Sequence, residues 1–145
     1  MTKNLNGENI QTPKSYQICF LPDCPMAETC IRHFAGLQID GNISWGLAVY
    51  PSALRNGKCD YFKKKRIIQG AWGFNTLFKD VRQRDSAPLH NIIKNYLGGN
   101  GTYYRYQHGK RLLTPEQQAW IINLFHQYGY ADHLQFDGSK DCYDW

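Results

Sequence analysis

Five cysteines are the side chains in this sequence best suited to chemistry. Cys19, Cys24 and Cys30 fall within twelve residues in a C-x4-C-x5-C spacing, Cys59 follows 29 positions later, and Cys142 stands apart near the C-terminus. Four thiolates are enough for a tetrahedral zinc site or an iron–sulfur cluster. The turn-forming Leu21-Pro22-Asp23 can fold Cys19 back toward Cys24, and Lys58 and Lys63 flank Cys59, where they offset thiolate charge. The spacing lacks the tight C-x2-C knuckle of most structural zinc sites, so three readings stay open. Zinc is held by Cys19, Cys24, Cys30 and Cys59. An iron–sulfur cluster or a thiol redox pair takes the same place. Or there is no metal, and the thiols pack as small apolar residues in the core of a non-enzymatic protein–protein adaptor. His33, three positions after Cys30, shares its face if the segment is helical and is a substitute ligand.

Charge supplies the second constellation. The chain carries 17 Lys and Arg against 12 Asp and Glu, a net charge of +5. Arg55, Lys58, Lys63, Lys64, Lys65 and Arg66 lie within twelve residues, and Arg105, His108, Lys110 and Arg111 form a second group. Clustered positive charge points to nucleic acid, or to an acidic protein, as a partner; its plain alternative is a solvated face. Tyr103, Tyr104 and Tyr106 are interleaved with the second group. Aromatics beside cations stack bases while the cations neutralise phosphates, although on a strand part of the tyrosines must face the core. The sign reverses at the end of the chain, with Asp137, Asp141 and Asp144.

Catalysis finds no positive support. Gly98-Gly99-Asn100-Gly101 is not followed by the Lys-Ser/Thr of a P-loop and reads as a helix stop. No H-E-x-x-H, G-x-S-x-G, kinase or dinucleotide pattern is present, and no catalytic residue is assigned.

These residues need a scaffold. A chain of 145 residues fits one domain, and no apolar run reaches the roughly 18 residues that span a bilayer. The polar start MTKNLNGENIQTPKS has no signal-peptide core, which implies a cytoplasmic protein with reduced thiols. Residues 1–14 read as a flexible arm and 15–145 as one compact α+β domain. The pattern predicts strands at 16–21, 43–50, 102–108 and 133–136, and an extended basic run at 59–68. Ile43, Trp45, Leu47 and Val49 share one face of the second strand. Asn56-Gly57 marks a turn. Short helices are expected at 25–35, after an Asp23 cap, at 74–82, and at 87–97 after Ser86. The clearest helix begins at Thr114, with Pro115 in the first turn and Gln117 closing a capping box. Its apolar stripe is Trp120, Ile121, Leu124, Phe125 and Tyr128, and Gly129 ends it. Mixed helices and strands without βαβ regularity give an α+β class, a small mostly antiparallel sheet with three to four helices.

CFLPDCPMAETCIRHFA, KCDYF, AWGFNTLF, TYYRYQHGKRLLTPEQQAWI and LQFD occur in that order. In this order of motifs, over about residues 16–137, the chain resembles a family of small proteins of unknown function found in gut-type Bacteroidota. The resemblance implies that Cys19, Cys24, Cys30 and Cys59 act as one unit without Cys142, and it implies no activity.

Overall fold

A computed structural model of the chain describes residues 12–145. Most of the expected N-terminal arm lies outside these residues; positions 12–17 carry only a turn. The fold is α+β, with five α-helices and six short strands among the described residues. It divides into two compact units, one comprising the described chain up to Ile67 together with Tyr143–Trp145, the other Ile68–Cys142.

The first unit is built on β1 (Ile18–Cys19), α1 (Ile31–Leu37), β2 (Ala48–Val49), β3 (Leu54–Arg55) and β4 (Lys58–Cys59). β1 and β2 run parallel, Ile18 opposite Ala48 and Cys19 opposite Val49. Ile31, Phe34 and Ala35 on α1 are buried. The helix lies so close to β1 that a Cβ on Gly36 would sit 2.3 Å from the Cys19 carbonyl oxygen, so only glycine fits there. β3 and β4 form an antiparallel hairpin. Its turn residues Asn56 and Gly57 have φ of 52° and 73°, the type I′ geometry for which Asn-Gly is favoured. α1 starts six residues later than expected: residues 25–29 turn instead, and the residue before the helix is Cys30, not an Asp cap. Ile31 N donates to Lys63 O (2.8 Å) and Lys65 N to Thr29 O (2.7 Å), so the basic run is stitched to the start of α1.

The second unit carries α2 (Asn75–Phe78), α3 (Gln83–Tyr96), α4 (Asn100–Gln107), α5 (Pro115–Gln127) and all but one terminal residue each of β5 (Ile67–Trp72) and β6 (Gly138–Tyr143). β5 pairs with β6. Asp137 N donates to Gly73 O while Cys142 lies against Gly70, so the two strands are antiparallel. The three sheets have two strands each, smaller than the single sheet expected. The core is helical: Phe74, Leu89, Ile93, Leu113, Ile121 and Phe125 are each at most 1% exposed. α5 forms as its sequence dictates. The Thr114 side chain accepts from Gln117 N, the Gln117 side chain accepts from Thr114 N, and Pro115 opens the helix. α2 is capped from a distance: Asp137 Oδ1 accepts from Thr76 N (2.8 Å) and Oδ2 from Asn75 N (3.2 Å).

Residues 102–108 are not a strand but part of α4 and its C-terminal end. Tyr103 and Tyr106 are both buried, and a spacing of three places them on one helical face; Tyr103 stacks on Phe74 at 4.8 Å. α3 begins at Gln83 after Arg82 rather than after Ser86, and the last strand is Gly138–Tyr143 rather than 133–136.

Candidate functional site

Cys142 is on β6, and the four candidate cysteines sit on different elements of the first unit. Cys19 is on β1, Cys24 in the turn after it, Cys30 at the start of α1 and Cys59 on β4. Cys30 is buried and the others are half-buried. Among the described residues no three His, Cys, Asp or Glu side chains form a group able to hold a metal ion. His33 has its Nδ1 buried without a hydrogen-bond partner among the described residues.

The first basic cluster is largely turned to structural use. Asp144 is buried, at 8% exposure. Its Oδ2 accepts from Arg66 Nε at 2.6 Å and its Oδ1 from Lys63 Nζ at 3.4 Å, and Lys63 also donates to the Trp145 carbonyl. A carboxylate with so little water needs such partners. Lys65 Nζ lies 4.5 Å over the Phe34 ring, a cation–π contact. Arg32 is held in a similar way: its Nε donates to Tyr61 O, its Nη1 to Gln17 O, and its guanidinium lies 4.7 Å over the Tyr16 ring. Burial raises the Tyr16 phenol above its ordinary pKa, against the opposing pull of Arg32. Arg55, Lys58 and Lys64 remain exposed. Arg55 Nε donates to Ser52 O and borders an open hollow of about 450 Å³ with Tyr50, Asp60 and Tyr61.

The second cluster differs. Residues 86–115 contain no Asp or Glu, and they hold Lys94, Arg105, Lys110 and Arg111. Packing of α3 on α4 brings Lys94 Nζ to 5.3 Å from the Tyr103 ring and 5.7 Å from the Tyr104 ring. Tyr104 is 47% exposed, and His108 stacks along it at 6.2 Å with an interplanar angle of 18°. Arg111 covers the buried Tyr106 ring at 5.3 Å. Arg105 and Lys110 are exposed, and their side chains have no partner among the described residues. Tyr103 is the packing member of the pair, its phenol pushed up to about 12 chiefly by burial, with the charges of Tyr104 and Asp137 adding to it. Helical geometry thus sorts the tyrosines: Tyr103 and Tyr106 enter the core, while Tyr104 faces outward among cations.

Two participants escape a reading of the sequence. Lys94 reaches the tyrosines only because residues 100–107 are helical. Asp144 is separated by 78 positions from Arg66, and no local pattern joins them.

No described helix is long and apolar enough to cross a membrane. No curated protein and no solved structure matches the chain. Over residues 1–145 the chain matches one family throughout, and it belongs to that family of unknown function, DUF6078.

Proposed function

We propose that this chain is a small intracellular binding and regulatory module that takes single-stranded nucleic acid on the α3–α4 face of its second unit. One observation carries the reading. The half-exposed Tyr104 ring has Lys94 and His108 beside it, and the side chains of neighbouring Arg105 and Lys110 make no bond among the described residues. An exposed ring offers any base a stacking surface, worth about 1–3 kcal/mol per base. Unpaired cations around it release counterions from phosphates. Of the basic residues read from the sequence, Arg105, His108, Lys110 and Arg111 are central here. Arg55, Lys58 and Lys64 extend the basic surface of the first unit, and Lys63, Lys65 and Arg66 serve its structure.

Fluorescence anisotropy with a short labelled single-stranded RNA tests this. Binding at about 50 mM salt should weaken steeply with added salt. Arg105→Glu with Lys110→Glu should weaken it at least tenfold, and Tyr104→Ala about fivefold or more. No binding at low salt, or binding that ignores these changes, contradicts the reading. An acidic protein captured by the same face, and lost with the same variants, would move the partner from nucleic acid to protein.

Zinc on Cys19, Cys24, Cys30 and Cys59, or an iron–sulfur cluster there, is supported by residue type and number alone. The occurrence in Bacteroidota rests on the order of the motifs.

A further inference from the structure

The segment before β2 matches a strand in sequence and has no strand partner among the described residues. Asp40 launches it through a local turn, its Oδ1 accepting from Asn42 N (2.8 Å) and its carbonyl from Ile43 N (2.9 Å). Beyond that turn Ser44, Trp45 and Gly46 make no hydrogen bond among the described residues. Ile43, Trp45 and Leu47 are 55%, 86% and 52% exposed. An exposed contiguous apolar patch beyond a few hundred Å² marks a contact surface, and an open edge of unpaired amides is a template for another strand.

Three features identify what fits there. Residues 41–54 contain no charged side chain, so a second copy meets no like-charge repulsion. The sequence Ile43-Ser44-Trp45-Gly46-Leu47 is nearly palindromic about Trp45. Antiparallel pairing about a twofold axis there sets Ile43 against Leu47 and Trp45 against its own counterpart, in the isologous manner of most dimers. The backbone parity also fits. Leu47 O accepts from Ile18 N on β1 (3.3 Å), so in an extended strand the groups of residues 43, 45 and 47 turn toward β1. Those of Ser44 and Gly46 then turn to the open edge, where they form a hydrogen-bonded pair across the axis while Trp45 occupies the closer, non-hydrogen-bonded position.

We infer that the chain forms a twofold dimer by strand addition through residues 43–47, which joins the β1–β2 pairs of two copies into one four-stranded sheet. Sedimentation velocity of the full chain, from low micromolar to roughly 100 µM, reads this directly, since a micromolar dimer is populated across that range. The wild type should shift from monomer to dimer. Trp45→Glu sets two carboxylates face to face and should weaken the dimer at least tenfold. Ser44→Pro removes an edge donor while leaving every apolar side chain, and should do the same, which distinguishes strand pairing from nonspecific apolar clustering. Both positions are exposed, and an unchanged circular dichroism spectrum and melting temperature confirm that the folded chain is retained. A wild type that stays monomeric throughout, or a dimer that persists in both folded variants, overturns the inference.

Discussion

Arg66 Nε stands 2.6 Å from Asp144 Oδ2 in the first unit, joining the basic run to the acidic end of the chain. Asp144 N also donates to the Arg66 carbonyl (3.1 Å), so backbone and side chain fix the same pair. With Lys63 on its other oxygen, Asp144 converts two cations that look like a ligand surface into a structural clamp.

Replacing Asp144 with Asn should therefore destabilise the protein. The two cations keep part of their solvent, with side chains 36% and 50% exposed, so the loss is smaller than for a fully buried pair, roughly 1–3 kcal/mol. Urea denaturation measures it; an unchanged midpoint would show that the clamp contributes nothing.

Tyr103 predicts a pH response. Its phenol is pushed up to about 12 by burial, from an ordinary 10.0. The unfolded chain releases this proton near pH 10 and the folded chain holds it until about 12, so the contribution is present below pH 10 and lost as pH rises between those values. Tyr103→Phe removes the titration. The difference in unfolding midpoint between wild type and variant should shift toward the variant's favour across that window. A difference that stays constant would mean that Tyr103 titrates alike in both states.

The thiols should act independently. Cys30 is 8% exposed, and Cys30→Ser places a hydroxyl where the thiol packs, at a cost of about 1–3 kcal/mol. Cys24→Ser, in a half-exposed turn, should stay within about 0.5 kcal/mol. Thermal melts of the single Ser variants decide. Large, equal losses at Cys19, Cys24, Cys30 and Cys59, reproduced by a chelator, would instead place all four on one metal.

What is legible in the sequence is what is locally determined. The Thr114-Pro115-Gln117 start of α5 and the Asn56-Gly57 turn are encoded within four residues, and both form as read. Tyr103-Tyr104-Arg105-Tyr106 is ambiguous, because alternation and a spacing of three both fit so short a run. Burial of Tyr103 against Phe74 decides for the helix. The alternation at 43–49 is real, yet only Ala48–Val49 finds a strand partner among the described residues. The role of a cation is not legible at all. Lys63 and Lys110 are both lysines in basic runs, and only the distant Asp144 separates their roles.

One comparison separates the binding cations from the structural ones. Binding of a short single-stranded RNA and urea stability are measured on two double variants, Arg105→Ala with Lys110→Ala and Lys63→Ala with Arg66→Ala. The first should lose affinity at least tenfold and show a flatter salt dependence, with its stability kept within about 0.5 kcal/mol. The second should lose stability while its folded fraction binds nearly as well as wild type. Equal loss of affinity in both, with stability untouched, would contradict this separation and return the 63–66 run to the binding surface.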